Sequence, residues 1–379
     1  MIDLKQAGDE FSKQITPELN LILNTLTKNN KDAYIIGGAV RDFIFGHTVK
    51  DFDVATNAIP DQIVKWLTEV QVKTKPIGGK WGTVLAIAGK QAFDVSTYRK
   101  ESFHTYGQPP EVTFVNSLDD DLRRRDFKIN TIIYDPLKNQ IVDKYHGIKD
   151  IENGIISMIG NPNIRLLEDG LRIIRLSRFM SKFNLTPSKK ITTAVKSIGK
   201  NAKFRSKRVM QIELFKLLRI HNPGVGFKFL VEMNVLPSMF HNFPLNPNYQ
   251  DNSSLELLQR FSLLPITNEI TRLFGLLLMI ADEKILTEYH FEQIKDDLFL
   301  SNRQNLHLTR LYRSWKNFPS KPDKSIIKRW VRASGINASE NLAKIYFLNQ
   351  QKESRTSNTT NEDTYVKNVQ IAVSRLRSG

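Results

Sequence analysis

Asp51-Phe52-Asp53 sets two carboxylates two positions apart. On an extended strand such residues share a face, so both acids project together while Phe52 turns toward a core. Like charges this close are costly to keep ionised unless a cation joins them. Oxygen-only ligands suit Mg²⁺, which keeps water and takes substrate phosphates as further ligands. Two such ions can activate an attacking hydroxyl and stabilise a leaving pyrophosphate. Asp94 lies in the alternating run Phe93-Asp94-Val95-Ser96-Thr97-Tyr98. It could complete the metal site from an adjacent strand or pair with an arginine.

Upstream stands Gly37-Gly38-Ala39-Val40-Arg41-Asp42. A strand enters, two glycines turn and a helix leaves. Glycines let backbone approach a phosphate, and the free N–H groups of a helix start attract anions. Arg41, in the first helical turn, can pair with the same phosphate.

The elements that must hold these groups follow from periodicity. Residues 33–36 read as a short strand and 39–45 as a helix closed by Gly46. Residues 50–55 alternate as a strand, and 61–70 form a helix opened by Pro60. Residues 84–88 and 92–98 read as strands joined by Gly89-Lys90, a hairpin. The expected head, residues 1–150, is α+β, a small mixed sheet with helices on one face. After about residue 151 strand alternation nearly vanishes. Helices are expected at 166–180, 189–197, 209–219, 225–233, 254–263, 270–281, 306–315 and 324–334. An all-α neck (151–222), body (223–310) and tail (311–379) result, with the polar stretch 350–364 read as a loop.

Composition narrows the partner. The 379 residues carry 55 Lys and Arg against 39 Asp and Glu, a net charge of +16. From residue 301 onward there are 15 basic and 5 acidic residues, so most of the surplus lies at the C-terminal end. That favours a polyanion. No apolar stretch approaches the roughly 20 residues of a bilayer span, so no membrane partner is expected. The first residues lack the pattern of a secretory signal. The absence of cysteine excludes disulfides, thiolate zinc sites and cysteine nucleophiles. A cytoplasmic protein is expected.

The glycine-arginine run followed by Asp51-Phe52-Asp53-Val54-Ala55-Thr56 resembles the first motif of class II CCA-adding enzymes and bacterial poly(A) polymerases, within the polymerase-β nucleotidyltransferase superfamily. Arg124-Arg125-Asp126-Phe127-Lys128-Ile129-Asn130 resembles the second motif. The resemblance implies ribose and phosphate recognition by Arg125, Asp126 and Asn130. Glu168-Asp169-Gly170-Leu171-Arg172 resembles the motif that selects the incoming base. Residues 208–214, with Glu213-Leu214, resemble the last motif, which supports the base-reading helix. The likeness covers about residues 20–220. It implies template-independent addition of CCA to the 3′ end of tRNA from CTP and ATP, with two Mg²⁺ ions and release of pyrophosphate.

Asp169 and Arg172 are three apart, a spacing that on a continuous helix shares one face. Aspartate accepts hydrogen bonds and arginine donates them. Cytosine and adenine each offer an amine beside a ring acceptor and satisfy both side chains. Uracil and guanine would set a carbonyl oxygen against Asp169. Arg175 and Arg178 continue the basic face, available for triphosphate pairing or for structural salt bridges.

The chain departs from the family pattern at residues 101–110. Glu101 is retained, but His104, Tyr106 and Gln108 stand where many relatives have Tyr, Asp and Arg. The resemblance assigns that loop to the switch from adding C to adding A, so a CC-adding enzyme or a poly(A) polymerase is the alternative reading. A non-catalytic RNA-binding module would have lost one of Asp51, Asp53, Asp169 or Arg172, and all are present. Gly170 replaces the usual Ala, at a cost of roughly 1 kcal/mol inside a helix.

Overall fold

A computed structural model describes residues 3–377 apart from 252–254, 257, 259–267, 320–322 and 351–358. The chain divides into two compact units. The first comprises residues 1–169 and 185–194, the second residues 170–184 and 195–379.

The first unit is built on a seven-stranded mixed sheet of order β3-β4-β5-β2-β1-β8-β9. The strands are β1 (Tyr34–Ile36), β2 (Asp53–Thr56), β3 (Lys73–Ile77), β4 (Thr83–Ala88), β5 (Gln91–Thr97), β8 (Ile133–Asp135) and β9 (Gln140–Val142). Only β2 and β5 run parallel. Gly89-Lys90 joins β4 to β5 as expected, with Ala88 paired to Gln91 and Gly89 at φ +59°. β3 escaped the sequence reading. It is an edge strand whose Lys73, Lys75 and Pro76 blur the alternation, residues that suit an edge.

Helices α1 (Leu4–Ser12), α2 (Pro17–Lys28) and α4 (Pro60–Glu69) share the main core with the sheet. Thr16 caps α2 by accepting from the Leu19 N–H, Pro17 opens its first turn, and Leu19, Ile22, Leu23 and Leu26 form its buried stripe. α3 (Gly38–Ile44) leaves the glycine turn, one residue from the expected span. The other sheet face bears a smaller cluster of Ile36, Ala55, Tyr98, Ile133 and Leu122, the last from α5 (Leu118–Arg123). A separate hairpin, β6 (Arg99–Ser102) with β7 (Glu111–Phe114), carries the 103–110 loop. α6 (Gly147–Glu152) and α7 (Pro162–Glu168) complete the labelled helices of this unit.

The second unit is helical. Its helices include α8 (Leu171–Phe183), α10 (Lys207–Leu218), Gly224–Glu232, Glu269–Ile280, Asn302–Lys316 and Lys324–Ser334, each near an expected span. α9 (Lys189–Ile198) also falls where expected. The Glu269–Ile280 helix is buried from Ile270 to Ile280, a central element. Its Arg272 donates to the carbonyls of Leu218 and Ile220, closing the C-terminus of α10.

The sequence-based expectations differ from the structure in three places, and a fourth falls largely outside the described residues. The 166–180 helix is interrupted at Asp169-Gly170. Helices at Glu288–Leu298, Ile336–Gln350 and Thr359–Arg377 were not foreseen, their polar or weakly periodic sequences hiding them. The 350–364 loop is helical at Gln350 and from Thr359, while 351–358 lie outside the described residues. The expected 254–263 helix lies largely outside them too.

Candidate active site

The carboxylates meet at the head of the parallel strand pair. β2 begins at Asp53, so Asp51 precedes the strand, whereas the sequence reading had placed both in it. Phe52 does enter the main core. Asp53 is the register partner of Asp94 on β5. Asp53 keeps an open side, yet its partial withdrawal from water, together with Asp94 and then Asp51, pushes its carboxyl up to about 6 against the pull of Arg125 and Arg41. Withdrawal from water and Asp51 also raise Asp94. Asp94 therefore belongs with the carboxylates, and its expected alternative, an arginine partner, is not found among the described residues.

The glycine turn closes over this group. Gly37 adopts φ +77°, which a side chain rarely tolerates. A Cβ built there would lie 3.5 Å from Asp53 Oδ2 and 3.7 Å from Arg125 Nη1. Gly37, Asp53 and Arg125 are thus brought together from three separate segments of the chain. A Cβ at Gly38 would lie 3.6 Å from Arg41 Nη2.

Arg41 is buried and held by protein. It donates to Asn130 Oδ1 at 2.6 Å and, through Nε and Nη2, to Asp42 Oδ1 at 2.8 and 2.6 Å. Asn130 donates in turn to Asp126 Oδ1 at 2.8 Å, which also accepts from the Phe127 N–H at 2.8 Å. Asp126 and Asn130 therefore brace Arg41 beside the glycine turn.

Asp121 is the residue that sequence reading missed. It is 1% exposed and binds Arg124 at 2.7 Å and Arg125 at 2.9 Å. Burial alone would raise its carboxyl, but Arg125 and Arg124 outweigh burial and hold it below the usual range. The signal was present as an i, i+3 and i, i+4 pattern, masked by the acidic run Asp119-Asp120-Asp121. Arg124 also meets Glu101 at 3.2 Å, and Glu101 meets Arg99 at 3.2 Å. The base of the 103–110 loop is so tied, residue by residue, to Arg125. At its tip the Gly107 N–H reaches the Glu168 carbonyl at 3.3 Å. Arg165 of α7 binds Glu168 at 2.6 Å and the Arg125 carbonyl at 3.0 Å.

Asp169 caps the end of α7 in extended conformation, and Gly170 caps the start of α8. The single helical face expected for Asp169 and Arg172 is therefore not formed. Both side chains are buried. Gly170 is not inside a helix. Its N–H donates to the Lys203 carbonyl at 2.9 Å, and a Cβ there would sit 2.8 Å from that oxygen. The break follows from this close approach. On α8, Arg178 and Arg175 bind Glu213 of α10 at 2.8 and 3.4 Å. Burial would raise Glu213, but Arg178, Arg175 and Lys216 together lower it. Arg178 also lies over the Phe179 ring at 4.2 Å. These contacts support the structural alternative for the two arginines and give Glu213 its supporting part.

No group of three or more His, Asp or Glu side chains forms a ready metal cage among the described residues. The surplus of negative charge at Asp51, Asp53 and Asp94 nevertheless fits a hard cation that takes one or two carboxylates and completes its shell with water and phosphate.

Comparison with known proteins gives a consistent family. Residues 33–157 match the family model described as the poly A polymerase head domain. A CCA-adding enzyme of Lactobacillus helveticus is 37% identical over 197 residues, 52% of this chain and 47% of that protein. The chain thus spans about half the length of that relative. One from Ligilactobacillus salivarius is 30% identical over 331 residues, 86% of this chain and 70% of that protein. Among solved structures, the Bacillus stearothermophilus CCA-adding enzyme in complex with CTP superposes with a TM-score of 0.73 at 22% identity, covering 95% of this chain and 83% of that one. The Thermotoga maritima CCA-adding enzyme complexed with tRNA gives 0.70 at 17% identity, with 98% and 86% covered. At these identities the two structures establish the fold.

Proposed function

The chain belongs to the family of CCA-adding enzymes, and on that premise we propose that it adds CCA to the 3′ end of tRNA from CTP and ATP, releasing pyrophosphate. The observation that carries this reading is the convergence of Gly37, Asp53 and Arg125, which sets a carboxylate and a guanidinium beside a glycine turn.

In this proposal Asp51 and Asp53, joined by Asp94, would hold Mg²⁺, which would supply charge neutralisation at the reacting phosphate and acidity at the attacking 3′-hydroxyl. The open backbone at Gly37 lets the triphosphate lie close to the turn. Arg125, fixed by Asp121, faces the phosphate charge that builds toward the leaving group. Arg41, braced by Asn130 and Asp42, adds positive field from below. Asp169 accepts from the base amine and Arg172 donates to the ring acceptor, so C and A are taken and U and G refused. The basic tail, residues 311–379, contacts tRNA phosphates by shape rather than by sequence. The same proposal places the protein in the cytoplasm with its RNA substrate. No helix among the described residues is long and apolar enough to cross a membrane.

The test is nucleotide incorporation on tRNA lacking its 3′ CCA, in Mg²⁺, with CTP alone, ATP alone and both. Growth by three nucleotides with both is expected. Growth by two Cs only would make the chain a CC-adding enzyme and point to the 101–110 loop. No incorporation would overturn the proposal.

A further inference from the structure

Arg165 sits where two functional stretches of the first unit meet. It lies on α7 three residues before Glu168, so the two side chains share a helical face. Arg165 Nη1 donates to Glu168 Oε2 at 2.6 Å, and the side chains are only 12% and 13% exposed, so water screens the pair little. Arg165 Nη2 donates to the carbonyls of Arg124 and Arg125, the latter at 3.0 Å. Its stem passes Gly160, where a Cβ would lie 3.6 Å from Arg165 Cγ and Cδ. One guanidinium thus holds a carboxylate and two carbonyls, which its planar fork of donors permits.

The position of these acceptors follows from the local fold. α5 ends at Arg123, so the carbonyls just past it lie beyond the reach of helical donors, and a cation there also meets the negative end of the helix. The chain leaving Arg125 then pairs with a second segment. The Ile159 N–H donates to the Asp126 carbonyl and the Lys128 N–H to the Ser157 carbonyl, each at 3.0 Å, around the bridge of Phe127 to Met158. α7 follows that segment, and Arg165 closes the contact between residues 124–128 and 157–168.

These stretches carry opposite ends of the proposed nucleotide site. Arg125 Nη1 lies beside Gly37 and Asp53, at the phosphate end. Asp169, the residue after Glu168, is the buried carboxylate assigned to the base. Asp121 holds the Arg125 guanidinium, and Arg165 holds the Arg125 backbone.

We propose that Arg165 is a positioning residue that sets the span between phosphate and base recognition. It acts through its neighbours and not on the nucleotide. It keeps the Arg125 peptide and Glu168 at one separation, so that a nucleoside triphosphate meets Arg125 and Asp169 together. This inference rests on the nucleotide-transfer reading above and adds the residue that joins its two subsites.

A residue that sets a span matters to ligands long enough to use it. The test therefore compares CTP, which spans both subsites, with inorganic tripolyphosphate, which occupies the phosphate end alone. Both are titrated by calorimetry in Mg²⁺ without RNA, so that no transfer takes place. The proteins are the full chain, Arg165→Met, Arg165→Lys and the double variant Arg165→Met with Glu168→Gln, all checked by thermal melts. CTP affinity should fall about tenfold in every variant while tripolyphosphate affinity holds. Lysine keeps the charge but not the fork, so it should not restore CTP binding. Equal losses for both ligands, or unchanged CTP binding in folded variants, overturn the proposal. If Arg165→Met does not fold, the double variant, which removes both charges, decides. An unmodified chain that ignores CTP sinks the transfer reading and this inference with it. A chain that binds CTP and incorporates nucleotide keeps that reading whatever the Arg165 variants do.

Discussion

Asp53 and Asp94 stand opposite each other in register on parallel strands, with Asp51 close enough to raise both carboxyls. Without a cation, this arrangement opposes folding. A carboxyl raised to about 6 contributes stability that is fully present below its unfolded value near 4 and is lost as pH rises through 6. In EDTA at pH 7–8, Asp53→Asn should therefore melt higher than the unmodified chain, by on the order of 2 °C after solvent screening. The difference should vanish near pH 4, and Mg²⁺ should stabilise the unmodified chain alone. The variant should lose turnover while still binding tRNA. Melts across pH with and without Mg²⁺, beside a filter-binding assay, check this. A lower melting temperature for the variant in EDTA at pH 7–8 would count against the carboxylate cluster.

Removing Asp121 should harm both stability and catalysis. Asp121→Ala leaves Arg124 and Arg125 without their buried partner, at a cost of about 3–5 kcal/mol. Arg125 would lose its orientation, raising the nucleotide KM at least tenfold. Because the folded carboxyl lies below the usual range, its contribution persists above pH 4 and fades only in more acidic solution. Denaturant melts and steady-state kinetics test both effects. An unchanged KM in folded protein would remove Asp121 from the site.

Gly170→Ala separates two explanations of the same residue. Helix propensity favours alanine by about 1 kcal/mol. The Lys203 carbonyl, 2.8 Å from the added Cβ, predicts a loss of about 1–3 kcal/mol instead. A higher melting temperature for the variant would show that the carbonyl yields readily.

Base choice gives a paired test. Exchanging Asp169 and Arg172 reverses acceptor and donor, so discrimination against UTP and GTP should fall about 10- to 100-fold, the equivalent of one unpaired buried polar group. Glu213→Gln should relax selection more mildly, about tenfold, by loosening Arg175 and Arg178. Single-nucleotide incorporation ratios measure both. Unchanged selectivity in the exchange variant would end the side-chain template reading.

Sequence periodicity placed the strands β1, β2, β4 and β5 and about half of the described helices to within a few residues, because each of these carries one clear apolar face, but it passed over α1 and α2. It singled out Gly37, Asp53 and Arg125 but could not show that they converge. Three features were beyond it for reasons of tertiary contact. The break at Asp169-Gly170 is made by the Lys203 carbonyl, far along the chain. Asp121 looked like one of three helix-start acids, and only packing makes it the buried one. The Glu288–Leu298 helix is polar in sequence, and Phe291, Ile294 and Leu298 gain their core from neighbouring helices.

The parallel pairing of β2 with β5 also governs when the site can exist. Hairpin neighbours zip as soon as both strands are made, but Asp53 and Asp94 are 41 positions apart, with β3 and β4 between them. Closing that interval is a nonlocal step, slow relative to hairpin formation. A chain still emerging from the ribosome therefore cannot assemble its acidic centre until β5 has been synthesised and docked beside β2. Nascent fragments ending before residue 94 lack the third carboxylate of that centre.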